Sequence, residues 1–261
     1  SVAVALTGSA GDLVSALAGN FTAAHNAEVK VTGTYTVSQL KSINAGTSGA
    51  LHLDDKTVAL SGTAANVKAA LAGSFTAGET HTGVVTISDA TNATVTATDI
   101  TDISTAKPSG NINITNKVTL SGSGSQVQAA AAALNTIHAD TNANVTGSDY
   151  TVAHLKGIND KVGGTITLAD STTVTLTGSA GDLVDALDGT FASAHTGEVK
   201  ITGTYTTTQL KAINSGTAGA LHLDDRTVAI SGSGSDLAAA LTGNFTSGET
   251  HTGVVKVTGN D

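Results

Sequence analysis

The chain has 261 residues, a formal net charge of −9, 30 glycines, one proline, and no cysteine, methionine or tryptophan. Its 12 Lys and Arg residues are scattered, which argues against nucleic-acid binding. No apolar run approaches the roughly 18–20 residues of a membrane span, and without cysteine there is no disulfide to staple a small core. Charged residues make up only 13%, against about 25% in an ordinary domain. Thr, Ser, Asn and Gly supply the polar surface instead. Apolar residues reach 39% and recur in a pattern, which speaks against disorder. The chain starts at Ser1 with no charged leader region, so either a leader has been removed or the chain is an internal segment.

In chain order, Val2–Thr7 predicts a first strand. Ser9 and Asp12 have the spacing of a helix start, and Leu13 and Leu17 put apolar groups on one helix face. Ser38-Gln39-Leu40-Lys41 matches the Ser-x-x-Lys spacing of some acyl-transfer enzymes, but its copy reads Thr208-Gln209-Leu210-Lys211, and a helix face explains Leu and Lys. Residues 84–116 are longer than their counterparts and hold Pro108, as a loop insertion would. Alternation in Thr173–Gly178 predicts a strand. Ser179 and Asp182 then open a helix with Leu183, Ala186 and Leu187 inward, stopped by Gly189. Val199–Gly203 predicts a strand, and Thr206 with Gln209 starts a helix carrying Leu210 and Ile213, ended by Asn214 and Gly216. Ala220–Leu223 forms a third strand that turns at Asp224-Asp225. Ser233, Asp236, Leu237 and Leu241 repeat the helix grammar, and Val254–Thr258 gives a last strand.

Repetition organises these elements. Val4–Gly8 returns at Val58–Gly62, Val118–Gly122, Val174–Gly178 and Val228–Gly232. Leu6–Val29 and Leu176–Val199 agree at 17 of 24 positions, and Gly49–Asp55 recurs intact as Gly219–Asp225. The chain therefore reads as repeat units 1–56, 57–116 (with the insertion), 117–172, 173–226 (a copy of the first) and 227–261 (a partial copy of the second). Each unit divides into two half-units. Helices of two or three turns and short strand pairs are marginal alone, so neighbours must bury each other's apolar faces. The expected fold is an α/β repeat, a β-rich, solenoid-like array of strands with short helices. Beads of separate small domains are the alternative, and so small a domain buries little surface. Both ends fall inside the repeat, as in a segment of a longer array.

Candidate sites are sparse. Asp54, Asp55, Asp224 and Asp225 are carboxylates suited to Ca²⁺ at a strand turn, although Asp-Asp-Lys/Arg is also the composition of a solvated turn. His52, His222, His81, His251, His25 and His195 recur with the repeat, and with Glu79 they invite a metal reading. Their spacing matches no zinc motif, so they read as turn residues copied by duplication. Asn20, Asn92, Asn113, Asn144 and Asn244 stand in glycosylation sequons. Gly122-Ser123-Gly124 and Gly232-Ser233-Gly234 lack the third glycine of a dinucleotide loop. Thr-x-Thr steps at Thr94/Thr96 and Thr173/Thr175 would form flat ranks for ice or glycans, or merely reflect the β-propensity of Thr. No unique acid–base cluster exists for catalysis, so no enzyme is expected. Val2, Val4 and Leu6 at one end, with Val254, Val255 and Val257 at the other, are the candidate assembly edges.

The phrases Leu176–Leu187 and Tyr205–Asn214 resemble the degenerate repeats of very long secreted or cell-surface adhesin-like proteins of the cyanobacterial type, distantly associated with RTX proteins. The Gly-Gly-x-Gly-x-Asp repeat that binds Ca²⁺ in RTX proteins is absent. The resemblance implies an extracellular or surface location and a structural or adhesive role; the repeat array and its Thr/Ser/Asn surface point to a stiff fibre, stalk or biofilm-matrix filament. Expected partners are copies of the chain itself or a continuous array, with glycans as a further candidate; no cofactor other than Ca²⁺ is expected. The alternative is an adhesin presenting glycan- or ice-binding surfaces.

Overall fold

A computed structural model describes residues 4–107 and 109–259. Val2 and Pro108 lie outside the described residues. The chain forms two compact units, residues 1–118 with 133–138, and residues 119–132 with 139–261.

The first unit contains β1 (Leu6–Ser9), α1 (Ala10–Leu17), β2 (Val29–Thr32), α2 (Val37–Gly46), β3 (Leu51–Leu53), β4 (Leu60–Gly62), α3 (Ala64–Leu71), β5 (Val85–Ile87), β6 (Thr94–Thr96), α4 (Ala97–Ala106) and β7 (Ile112–Ile114). β1, β2 and β3 form one parallel sheet, and β4, β5 and β7 form another. The helices pack in succession, α1 on α2, α2 on α3, α3 on α4. Where a loop insertion was expected, residues 84–116 form strands and a helix: α4 takes the place that α2 has in the first unit, and the additional element is the short strand β6 before it.

The second unit runs β8 (Thr119–Gly122), α5 (Gly124–Ala133), β9 (Asn142–Val145), α6 (Val152–Asn159), β10 (Ile166–Leu168), β11 (Leu176–Ser179), α7 (Ala180–Leu187), β12 (Val199–Thr202), α8 (Thr207–Gly216), β13 (Leu221–Leu223), β14 (Ile230–Gly232), α9 (Gly234–Leu241) and β15 (Val255–Val257). β8, β9 and β10 pair in parallel, as do β11, β12 and β13, and β14 with β15. Again α6, α7, α8 and α9 pack in order. The chain is thus α/β, with parallel strands in several small sheets and short helices between them.

Two observed shifts refine the expected elements. Among the described residues the first strand begins at Leu6, after Val4 and Ala5, and its copy at Leu176 rather than Thr173. Each strand begins where the Leu6 or Leu176 amide donates to the carbonyl of Glu28 or Glu198. The last strand residue, Ser9 or Ser179, is also the helix N-cap, its hydroxyl accepting from the amide of Asp12 or Asp182. Strand and helix therefore share a residue, and the pairing runs up to the cap. Before α2 and α8 the cap is Thr36 or Thr206 with a reciprocal glutamine, Gln39 or Gln209, as the Thr–Gln spacing implied. Such caps contribute about 1 kcal/mol each.

Strands and helices repeat at different intervals. Leu6 pairs with Val29, 23 residues on, and Val29 with Leu51, 22 on. Helices α1, α2 and α3 start at Ala10, Val37 and Ala64, 27 apart. Each successive strand therefore starts earlier relative to its helix. After β3 the sheet ends in a single bridge at Phe75, behind α3, and β4 opens a new sheet directly before that helix. The same sequence of events follows β13, with Phe245 as the closing bridge and β14 as the new start.

A conserved grammar joins even to odd helices in both units. Lys41 and Asn44 of α2 bond Asn66 (2.7 Å) and the Ala69 carbonyl (2.9 Å) of α3. Lys211 and Asn214 of α8 bond Asp236 (2.6 Å) and the Ala239 carbonyl (2.9 Å) of α9. In α6, Lys156 pairs with Asp185, and Asn159 bonds the carbonyls of Asp185 and Ala186 in α7. The asparagine satisfies carbonyls near the helix C-terminus that have no partner within the helix. Beneath these polar clasps lies the core, for example Leu40, Ile43, Leu155 and Leu210, all fully buried.

Candidate functional site

The Asp-Asp turns are engaged by protein partners. Asp54 meets Lys30 at 2.9 Å and His52 Nε2 at 3.3 Å, and Asp224 meets Lys200 at 3.0 Å and His222 Nε2 at 3.3 Å. The lysine bond holds the Asp54 carboxyl below its ordinary pKa. Asp55 Oδ1 accepts from the Thr57 amide (2.9 Å) and hydroxyl (2.7 Å), and Asp225 accepts the same pair from Thr227. These bonds lower both carboxyl pKa values, the threonine hydroxyl contributing most. Among the described residues no group of three or more His, Cys, Asp or Glu is arranged to hold a metal ion. Glu79 lies 3.6 Å from Lys56 rather than beside a second ligand.

The histidines, expected as turn residues, divide into two kinds. His52 and His222 are half-buried strand residues next to their aspartates. His81 and His195 are fully buried and His251 is half-buried. These three each face a tyrosine: Tyr35 to His81 Nδ1 at 3.1 Å, Tyr150 to His195 Nδ1 at 3.3 Å, and Tyr205 to His251 Nδ1 at 2.9 Å. The rings meet edge to face with centroids 6.2, 6.0 and 6.1 Å apart. Tyr35 and Tyr150 also donate to the carbonyls of Asp55 (3.0 Å) and Asp170 (2.8 Å). A hydroxyl carries one proton. With that proton on the carbonyl, the imidazole is assigned as the Nδ1–H donor to the tyrosine oxygen. The turn is thereby tied to a histidine in the half-unit beyond.

Burial lowers the pKa of all three histidines, that of His81 to about 4, where the Lys107 ammonium adds repulsion. The Nε2 atoms of His81, His195 and His251 have no hydrogen-bond partner. The Gly83 and Gly253 backbones lie near enough to favour the charged rings slightly, without hydrogen-bond geometry. Burial drives the Tyr150 and Tyr205 hydroxyls up to about 12, and that of Tyr35 higher still. The chain has three tyrosines, and all three make this contact. The signal was present in the sequence as Tyr followed by Asp 20 residues later and by His 45 or 46 later. Lys107 is also buried, its amine donating to the Ser109 carbonyl, and burial lowers its pKa.

No protein-family model and no curated protein matches the chain.

The remaining sequence-predicted residues are spread over the surface. Asn20, Asn92 and Asn244 are exposed. Asn113 and Asn144 are half-buried inside strands β7 and β9. The outward rows of paired strands mix residue types, as in Ser61–Thr86–Asn113, Ser121–Asn144–Thr167 and Thr7–Lys30–His52. Thr94 and Thr96 are exposed on either side of buried Val95. Of the assembly residues, Val4, Val254, Val255 and Val257 are exposed, and Leu6 is half-buried.

Proposed function

We propose that this chain is a structural repeat element. Its half-units stack into a continuous, solenoid-like array that serves as a stiff extracellular fibre, stalk or matrix filament. The carrying observation is a pair of matched valines, each two residues before the same Leu-Thr-Gly-Ser-Ala-Gly-Asp-Leu-Val stretch. Val4 is 66% exposed, and its copy Val174, preceded by another half-unit, is 9% exposed. Burial is supplied by the neighbour, which is the defining energetics of a stacked repeat. The titratable groups point the same way. The Tyr–His pairs recur three times and tie successive half-units together, a packing role rather than a catalytic one. A surface of Thr, Ser and Asn without cysteine suits an exposed extracellular polymer.

Tandem chains of one, two and three copies of the 170-residue super-repeat test this. Small-angle scattering should give a rod whose length grows in proportion to copy number, and the denaturant midpoint should rise with the first added copies. A chain that scatters as flexibly linked beads, with an unchanging midpoint, would overturn the reading. Fractionation of the producing cells, with the protein in the medium or on the surface, tests the location.

A further inference from the structure

We infer that the outer face of α1 is a socket for one specific kind of segment, a half-unit carrying Tyr-Thr-x-x-x-Leu-Lys-x-Ile-Asn, and that helix α9 of a second copy does not fit it. The inference rests on the stacked-array reading and identifies the partner of its open face.

Three occupied copies of the socket define the rule. Tyr35–Asn44, Tyr150–Asn159 and Tyr205–Asn214 all carry the motif, and each lies against the odd helix that follows, α3, α7 and α9. Each contributes the same contacts. Its tyrosine reaches the histidine beyond that helix, its lysine reaches a polar side chain on the helix, and its asparagine reaches the helix's late carbonyls. The asparagine also sits where a glycine follows the helix. A Cβ at Gly73, Gly189 or Gly243 would come within 2.6, 2.1 or 2.5 Å of Asn44, Asn159 or Asn214 Oδ1. Under the clasp an alanine is fully buried: Ala70, Ala186 and Ala240. For α9 this burial comes with α8 as its packed neighbour, so the alanine marks the face turned to the preceding even helix.

Helix α1 carries counterparts of these features, with no motif segment seated on them among the described residues; its acid is Asp12, placed as in α9, since the position of Asp185 in α7 is Ser15 here. Ala16 stands where Ala186 stands, and is exposed. Asp12 corresponds to Asp236, Ser15 to the carbonyl position of Ala239, and Gly19 to Gly189. At Gly19 the nearest atoms a Cβ would meet belong to Phe21, where an asparagine Oδ1 is nearest at Gly189. His25 corresponds to His195, and all three tyrosines of the chain bond other histidines, through Nδ1. A histidine, an acid, a glycine notch and an exposed alanine thus remain in place for a tyrosine, a lysine, an asparagine and an apolar helix face.

The last helix, α9, is of the same odd kind as α1. Every helix contact given above joins an odd to an even helix. Placing α9 of one copy on α1 of another would bring together two faces that both lack the Tyr, Lys and Asn. All three motif segments of the chain are already seated on their own odd helices.

The absence of cysteine makes single-cysteine labelling clean. In the full chain, Ala16→Cys should react with a maleimide at a rate near that of a free thiol. Ala186→Cys should react on the order of a hundredfold more slowly, through local opening. Adding residues 139–173, which precede Val174, in front of Val4 should slow Ala16→Cys by a similar factor. Alanine at the positions of Tyr150, Lys156 and Asn159 in the added segment should restore most of the rate. Within the unextended chain, K156A with N159A should speed labelling of Ala186→Cys about tenfold. High concentrations of the unlabelled chain should leave Ala16→Cys unprotected. The proposal is overturned if the added segment leaves the rate unchanged or stays unfolded on the chain, or if a second copy protects equally well. Fast labelling of Ala186→Cys in the unextended chain would instead sink the stacked-array reading itself.

Discussion

The half-unit Leu6–Val29 and its copy Leu176–Val199 are close to a controlled experiment within one molecule. Both form a strand whose last residue caps an eight-residue helix, with the same serine–aspartate contact at 2.7 Å. Local structure is therefore written in the half-unit. Burial is not. Leu176, Ala186 and His195 are fully buried, whereas Leu6 and His25 are half-buried and Ala16 is exposed. The same residues become core or surface according to what precedes them, so in this chain hydrophobic stabilisation belongs to interfaces rather than to segments.

The strongest way to break the comparison is to place a charge at matched positions. Ala186→Asp buries a carboxylate without a partner and should lower the unfolding free energy by about 3 kcal/mol or more. Ala16→Asp should change it by less than about 0.5 kcal/mol. Urea titrations of both variants decide the matter, and equal losses would contradict the comparison.

Acid should sharpen it next. The folded-state pKa of His81 is about 4, below its ordinary 6.5. The unfolded chain therefore takes up the proton first. Stability is complete above about pH 6.5 and is lost as the pH falls towards 4, by on the order of 3 kcal/mol for His81. His195 and His251 shift in the same direction, also through burial. Urea midpoints measured between pH 7.5 and 4.5 should fall steadily, and His81→Gln should flatten part of that slope.

At the other end, Val85 is fully buried and its counterpart Val255 is 43% exposed. Val85→Ala should cost about 2 kcal/mol and Val255→Ala less than about 1 kcal/mol, by the area and cavity each change involves. The smallest effect belongs to the Asp-Asp turns. Asp54→Asn should leave the thermal midpoint nearly unchanged, because its lysine partner is solvent-screened. A Ca²⁺ chelator should do the same; a large drop would restore these carboxylates to the role of metal ligands.

The parts of this fold legible in the sequence are those set by residues close together along the chain. Ser9, Ser179 and Thr206 announce their helices because a cap bond spans three residues. The alternation of Val and Ile in Val199–Thr202 reports a strand with one buried face. What escaped was everything carried between half-units. Tyr35 and His81 are 46 positions apart, and neither residue type announces the other. The leucine and isoleucine of Leu-Lys-x-Ile-Asn were readable as core, but Asn214, expected to end its helix, lies within α8 and reaches a carbonyl of α9, while Lys211 reaches a carboxylate there. The strand boundaries moved by a few residues for a related reason, because pairing with Glu28 and Glu198 carbonyls, rather than local alternation, fixes where Leu6 and Leu176 begin.

The unequal intervals of strands and helices have a mechanical consequence. In the sheets beginning at β1 and β11 a third strand is the last full one, and the next sheet opens before the following helix. The arrangement is that of bricks laid in staggered courses. A peeling force applied to one sheet can unzip only a few strands before it meets a row that belongs to the next sheet, where the helix clasps must also yield. Tension would then be released in short steps rather than in a single tear.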